Sequence, residues 1–321
     1  MISKPMDVLR DFPVRKSKKQ KQAFRDAVQS YFKTIGCDSV IEKGSMGAKN
    51  IVIGNPETAK YLITAHYDTP AALPFPNLIT PCNFLPLLGY QILQTVLIFA
   101  AAMIPGILLA LAGVSAEIAS RTWALSLYVI LALMLIGPAN KNNANDNTSG
   151  VVTVLEIAKS MPEAYRDKVC FVLFDLEEAG LIGSSSYQKA HKKHTENQLI
   201  LNMDCVGDGN ELVMFPTKKL LQSPERMELL RGITGTWGEK SIALREKGFA
   251  YYPSDQKHFP YGVGIAAFRR SSWAGLYCSR IHTKKDTVLE ETNVNILRAA
   301  IVSLITCGAV KCERKFDYET V

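Results

Sequence analysis

Glu177 and Glu178 stand side by side at the end of the short apolar run Val169–Phe174. Two adjacent carboxylates repel each other and need a cation, a proton or water to coexist. A solvated Glu-Glu loop is the plain alternative. Other residues tip the balance. His66 closes the apolar run Tyr61–Ala65, with Asp68 two residues on; Asp204 closes the run Gln198–Met203. Asp146 lies in the polar stretch Asn140–Gly150, and His282 in the loop Ser279–Thr287. His66, Asp146, Glu178, Asp204 and His282 together make a mixed nitrogen and oxygen donor set suited to zinc and similar divalent ions. Five protein ligands suit two ions when one carboxylate bridges them, at separations of about 3.5–4 Å. Singly, each signal is weak. A hydrogen-bonded structural histidine is the default for His66-x-Asp68, and an Asn-rich turn the default for Asp146.

The elements that must position these side chains follow from periodicity. Lys18 to Ile35 places Phe24, Val28, Tyr31 and Phe32 on one helical face, and Gly36 ends it. Ile51–Ile53 and Tyr61–Ala65 read as strands separated by a Gly54-Asn55-Pro56 turn, and Val169–Phe174, Gln198–Met203 and Ile265–Phe268 as further strands. Ser149 or Thr148 suits the N-cap of a helix carrying Val151, Val154, Leu155 and Ala158 on one face. A closing amphipathic helix is expected from about Asn293 to Val310. Ligands in open α/β sheets collect outside the carboxyl ends of strands, which is where the candidate residues fall.

One segment has a different character. From Thr69 to Ala116 there is no charged residue, and Thr122 to Asn140 is uncharged again. Phe84–Gly113 exceeds the roughly 20 residues that cross a bilayer, and the second run is just long enough. Pro105-Gly106 is expected to kink the first helix, which membrane helices tolerate. The pattern reads as a transmembrane helical hairpin turning near Ser115 to Ser120, with a buried helical pair or an apolar lid as the soluble alternative. The expected division is therefore a catalytic domain, residues 1–81 and 140–321, interrupted by an inserted apolar hairpin, residues 82–139.

The 321 residues are enough to bury a sizeable core, and the net charge is +7. The basic residues are scattered apart from a cluster at Arg15–Lys21. No aromatic interleaving accompanies it, so nucleic acid is not expected as a partner. A face toward anionic lipid is the better use for it, and solubility the plain alternative. Seven cysteines, odd in number and without a CxxC pair, suit a reducing compartment. Met1 to Pro13 has no apolar core, so no cleaved signal peptide is expected. His191 and His194 lie in a lysine-rich segment and read as solvated.

At this point the chain resembles a known family, the co-catalytic dizinc aminopeptidases of the bacterial leucyl aminopeptidase and aminopeptidase Y type. Their superfamily also holds glutamate carboxypeptidase II, glutaminyl cyclase and the transferrin receptor. The resemblance is carried by Ala65-His66-Tyr67-Asp68, Asn145–Gly150, Asp175–Ser184, Asn202-Met203-Asp204, His282-Thr283 and Asp286-Thr287. These occur in the family's order and span residues 61 to about 290. The fold it implies is α/β, a three-layer α/β/α sandwich around a mixed, mostly parallel sheet. It also implies roles. Asp146 bridges two divalent ions, most readily Zn2+. His66 and Asp204 complete one site, and Glu178 and His282 the other. Glu177 is the general base that activates metal-held water, and Asp68 the carboxylate beside His66. The Asp146-Asn147 peptide is expected to be cis. The substrate implied is a peptide with a free N-terminus.

Two departures stand out. His66 and Asp146 are 80 residues apart, where relatives have about a dozen to twenty, and the excess is the apolar hairpin. The family's Ser-Asp-His-x-Pro-Phe stretch reads Ser254-Asp255-Gln256-Lys257-His258-Phe259 here, with His258 taken as an ordinary loop histidine. The alternative functions are a glutaminyl cyclase-like acyltransferase using one zinc, and, ranked last because the ligand set is complete, a non-catalytic scaffold. Both ends of the hairpin return to one domain, so His66 and Asp146 must share a side of any membrane. Basic residues near the spans and free thiols place that domain on the cytoplasmic side of the cell membrane, with the membrane lipid around residues 84–139. That position suggests short hydrophobic or membrane-derived peptides as substrates.

Overall fold

The computed structural model describes residues 2–308. Ten strands form one mixed sheet: β1 (Ser39–Lys43), β2 (Lys49–Ile53), β3 (Tyr61–His66), β4 (Val169–Phe174), β5 (Leu199–Met203), β6 (Glu211–Pro216), β7 (Gly235–Trp237), β8 (Lys240–Leu244), β9 (Gly262–Ser271) and β10 (Gly275–Tyr277). Their order is β1-β2-β4-β3-β5-β9-β6-β8-β7, with β10 paired to β9. The four central strands β4, β3, β5 and β9 run parallel. The sheet is mixed, as the resemblance implies, and most of its parallel pairing lies there. Flanking pairs β1–β2, β2–β4, β6–β9 and β7–β8 are antiparallel, while β6–β8 is parallel. β2 and β3 do not pair, because β4 lies between them.

β4 is apolar at every position, and β3 and β5 are mainly apolar, because both faces are covered. In β4, Val169, Phe171 and Leu173 join the large core on one face, while Cys170, Val172 and Phe174 join a second core on the other. β3 and β5 alternate in the same way, with Ile63 and Leu201 on the first side and Leu62 and Ile200 on the second. The first core is roofed by helices. After the short α1 (Asp7–Asp11), α2 (Lys18–Thr34) begins with a capping box in which Ser17 and Gln20 satisfy each other's backbone N–H. It buries Phe24, Val28, Tyr31 and Phe32, the face read from the sequence.

The apolar segment forms a hairpin of α3 (Phe84–Leu111) and α4 (Ala116–Ile136). Its turn falls at residues 112–115, slightly earlier than expected, and Ser115 caps α4. α3 is a single helix through Pro105. The two helices touch at small residues, Ala102, Gly106 and Ala119, which are the buried ones. A Cβ on Gly106 would lie 2.6 Å from the Ala119 carbonyl oxygen, so only glycine lets the backbones approach this closely. Nearly all the large apolar side chains point outward, among them Leu85, Ile104, Leu111, Leu125, Tyr128 and Ile136. At about 1.5 Å per residue the helices are about 42 and 31 Å long, against a hydrocarbon core of about 30 Å.

The ends of the hairpin are zipped together. Ala71 bridges Ala139, Ala72 N–H donates to Pro138 O at 2.9 Å, and Asn140 N–H donates to Pro70 O at 3.0 Å. The insertion therefore leaves and re-enters the sheet domain at one place, so the 80-residue gap between His66 and Asp146 spans little distance in space.

Beyond it, α5 (Gly150–Ser160) follows the Asn-rich stretch. Neither expected cap is used: Ser149 has helical backbone angles, and its hydroxyl donates to Asn145 O at 2.6 Å. α6 (Ile182–Ala190) follows the Glu-Glu turn, and the closing helix spans Glu291–Cys307. The expected end at Val310 lies outside the described residues. Cys37, Cys82, Cys170, Cys205 and Cys278 are free thiols.

Candidate metal centre

The C-terminal ends of β3, β4 and β5 bring the candidate residues together. His66 is the last residue of β3, and Glu177 and Glu178 follow β4 after a left-handed Leu176. Asp204 follows β5, ahead of a left-handed Cys205 whose thiol donates to Asp204 Oδ1 at 3.2 Å. His282 itself has φ +60. Non-glycine residues held in this region cost about 1–3 kcal/mol each and tend to cluster at functional sites.

Asp146 is placed by its neighbours. The Asp146-Asn147 peptide is cis, as the resemblance implied. Asn147 Nδ2 donates to Met203 O at 3.0 Å, while its Oδ1 accepts from Gly150 N at 3.0 Å and Cys205 N at 3.2 Å. Asn145 Oδ1 accepts from Gly207 N at 2.7 Å. These amides therefore latch the Asp146 loop to the backbone on both sides of Asp204. A Cβ on Gly150 would meet Asn147 Oδ1 at 2.3 Å and Met203 O at 2.4 Å, so the latch requires glycine there.

The decisive feature is how the two oxygens of Asp146 divide. His66 Nε2 lies 3.2 Å from Asp146 Oδ1 and 3.6 Å from Asp204 Oδ1. His282 Nε2 lies 2.9 Å from Asp146 Oδ2 and 3.5 Å from Glu178 Oε2. One carboxylate thus belongs to two clusters, His66–Asp146–Asp204 and Asp146–Glu178–His282, each with ligand atoms within 4.8 Å of one another. Glu177 sits beside both and groups with His66 and Glu178. Glu178 Oε1 is buried without a hydrogen-bond partner among the described residues. Crowded carboxylates, inward-facing imidazole nitrogens and this unmatched oxygen fit divalent cations.

Residues 130–304 match peptidase family M28. The chain belongs to that family. The match takes in Asp146, Glu177, Glu178, Asp204 and His282; His66 is added by geometry. Aminopeptidase YwaD of Bacillus subtilis (strain 168), a curated relative, is 39% identical over 185 residues, which cover 54% of this chain and 39% of that protein. The chain thus spans about two fifths of that relative's length. Among solved structures, Porphyromonas gingivalis glutaminyl cyclase is similar with a TM-score of 0.57 at 14% identity, over 93% of this chain and 94% of that one. The Legionella pneumophila LapA aminopeptidase gives 0.55 at 14%, over 94% and 70%. A Zn-dependent exopeptidase from Parabacteroides distasonis gives 0.54 at 16%, over 92% of each chain. At these identities the likeness establishes the shared α/β fold.

The electrostatics of this M28 centre follow from burial and crowding. Burial works against a charge on His66, but Glu177 and the nearby carboxylates of Asp146, Asp204 and Asp68 outweigh it, so its pKa lies well above the usual imidazole value. His282 is raised in the same way, burial being outweighed mainly by Asp146. Burial, then the charge of Asp146, pushes Glu178 well up. Glu177 is raised by burial and by Glu178, with His66 opposing. Asp146 is lowered: burial raises it, and the two imidazoles prevail.

Asp68 does more than stand beside His66. Its oxygens accept from Glu177 N at 3.0 Å and Glu178 N at 3.2 Å, while Oδ1 lies 3.5 Å from His66 Nδ1. Asp286 had been quoted only as part of a motif. Its carboxylate accepts from Asn145 N at 2.7 Å and Asp146 N at 3.0 Å, and burial followed by the charge of Asp146 lifts it to about 7. Asp255 is fully buried and lifted to about 7, chiefly by burial.

Several expectations need correction. The Arg15–Lys21 cluster is not all surface: Lys18 and Lys19 are exposed, but two members turn inward. Arg15 is fully buried beneath the loops that carry His66 and Asp146, and Lys21 is buried with Nζ 2.7 Å from Asp175 Oδ1. His191 is not solvated: it packs on Tyr187 at 4.4 Å, and its Nε2 lies 2.9 Å from Glu42 Oε2. His258 is half-buried, with an Nε2 that has no hydrogen-bond partner. Gln256 is a buried brace, donating to Tyr252 O at 2.7 Å and accepting from Asn202 at 3.2 Å.

Proposed function

We propose that the chain is a membrane-attached dizinc aminopeptidase that removes N-terminal residues from peptides. The observation that carries this reading is Asp146, whose two oxygens face two different histidines. In this reading His66, Asp146 and Asp204 hold one Zn2+, and Asp146, Glu178 and His282 the other. When bound, such a pair of cations lowers the pKa of water towards about 7 and polarises the scissile carbonyl. Glu177 stays outside both three-residue sets. Its carboxylate takes the proton from the attacking water and delivers it to the leaving amine. Asp68 fixes the backbone of that base, and Asp286 and the Asn145–Asn147 latch hold Asp146 in place. The name of the Bacillus subtilis relative, an aminopeptidase, supports removal of N-terminal residues.

The length and outward-facing apolar side chains of α3 and α4 support a pair of membrane spans, with membrane lipid around residues 84–139. An even number of crossings keeps both ends in one compartment. Lys141 and Lys16, whose Nζ lies 3.5 Å from Leu135 O, flank the end of α4 and support a cytoplasmic sheet domain at the cell membrane. The fold shared with a glutaminyl cyclase supports a second reading, single-zinc cyclisation of N-terminal glutamine. A panel of aminoacyl chromogenic amides, run on zinc-loaded protein beside a pyroglutamate-formation assay, separates the two. Amide hydrolysis without pyroglutamate supports the peptidase, and the reverse supports the cyclase.

A further inference from the structure

Arg15 is the residue that the centre leaves unexplained. Its side chain is completely buried, a rare state for arginine, and its Cζ lies 5.4 Å from the centre of the Phe24 ring. Among the described residues no carboxylate forms an ion pair with it. Instead Nε donates to Tyr67 O at 2.5 Å, and Nη1 donates to Phe12 O at 2.6 Å and to Thr148 Oγ1 at 3.1 Å. The backbone N–H of Arg15 donates to Thr69 Oγ1 at 2.9 Å. Next door, Asn143 Nδ2 donates to Pro13 O at 2.8 Å.

The placement of these acceptors is informative. Tyr67 lies between His66 and Asp68, and Thr69 follows directly. Thr148 lies two residues after Asp146, and Asn143 three before it. One rigid guanidinium therefore spans the loop of the first ligand and the loop of the shared ligand. Those loops are separated in the chain by the whole apolar hairpin. Burial brings its pKa down only to about 10, with the charges of Asp68 and Asp146 opposing, so it remains a cation at neutral pH. Nη2 is buried with no hydrogen-bond partner among the described residues. A lysine could keep the charge but not the planar fork that reaches acceptors on two loops.

We propose that Arg15 is a positioning residue of the metal centre: from beneath, it clamps the His66–Thr69 and Asp146–Thr148 loops at the separation that two cations sharing Asp146 require, and its fixed positive charge offsets part of the carboxylate crowding. The N-terminal segment is in this sense a working part of the centre. This inference rests on the dizinc reading.

The test measures zinc dissociation constants, by competition with a chromogenic chelator, on the detergent-solubilised full chain, with kcat, KM and the melting midpoint alongside. Loss of a partner that orients metal ligands typically costs about 10–100-fold in affinity or activity. Arg15→Gln is expected at the upper end of that range and Arg15→Lys at the lower end, because lysine restores the charge and not the clamp. In both, kcat falls while KM stays near wild type. Thr148→Val, nearly isosteric, removes one acceptor and is expected to weaken zinc binding even if Arg15→Gln fails to fold. The proposal is overturned if Arg15→Lys and Thr148→Val melt at lower temperature yet bind zinc and turn over as the wild type does. If the wild-type chain itself binds no zinc, the dizinc reading fails instead, which this assay reports separately.

Discussion

Asp68 and Glu177 lie 109 positions apart in the chain, yet the Asp68 carboxylate accepts the backbone N–H of Glu177 at 3.0 Å. The same carboxylate takes the N–H of Glu178 at 3.2 Å. The aspartate that follows the His66 strand therefore sets the conformation of the turn that carries the proposed base and a proposed ligand.

Removing Asp68 should loosen that turn. Asp68→Ala leaves two N–H groups without their acceptor, at about 1–3 kcal/mol for each one left buried and unmatched, and frees His66 Nδ1. The expected result is a loss of about 10–100-fold in kcat or zinc affinity, read by steady-state kinetics and chelator competition. Unchanged values of both would mean that Asp68 does not hold the turn in the working enzyme.

Metal binding should expel protons. In the metal-free centre His66 and His282 have raised pKa values, as do Glu177 and Glu178, so each binds its proton more tightly than in the unfolded chain. Ligands must lose those protons to coordinate a cation. Because the folded values are raised, the protonated forms dominate below them, and zinc affinity should climb as pH rises through them and fall as pH drops. Calorimetric titration with zinc in buffers of different ionisation enthalpy should give heats that scale with the buffer. Heats independent of the buffer would show that no proton leaves and would contradict the proposed ligand set.

Much of the fold and most of the centre could be read from the residue order. β4 was legible because a strand covered on both faces is apolar throughout, β5 because only Asn202 interrupts its apolar run, and His66, Glu178 and Asp204 because they end or closely follow such runs. Asp146 was not visible from periodicity, since an Asn-rich loop looks like any turn; its position depends on amide hydrogen bonds to the distant Asp204 backbone. Arg15 was misread for a related reason. A basic run resembles a solvated face, and only the packing on Phe24 and the carbonyls at Tyr67 and Phe12 show that one member points inward. His191 likewise finds Glu42, a partner 149 residues away that no local pattern announces. The antiparallel borders of the sheet were not legible either, because the partners of β6 to β8 are set by topology and not by any local pattern.

The hairpin should place Ser115 and Ser120 across the bilayer from the catalytic side. With Ser115→Cys or Ser120→Cys in intact cells, a membrane-impermeant thiol reagent should label the turn from outside, whereas the native cysteines in the sheet domain stay unlabelled until the membrane is opened. Recovery of the whole protein in the soluble fraction without detergent would reject the spans and leave α3 and α4 as a lid or a contact between copies.

The central claim is that two cations share Asp146 while Glu177 moves the proton. Its most direct test is a parallel measurement of bound metal and aminoacyl-amide hydrolysis in wild type, Glu177→Gln and Glu178→Ala. A general base contributes about 10²–10⁴-fold, so Glu177→Gln should retain two zinc ions per chain and lose activity by that factor, while Glu178→Ala should lose metal as well. Turnover near wild type in Glu177→Gln, or one ion per chain in the active wild-type protein, would contradict the account.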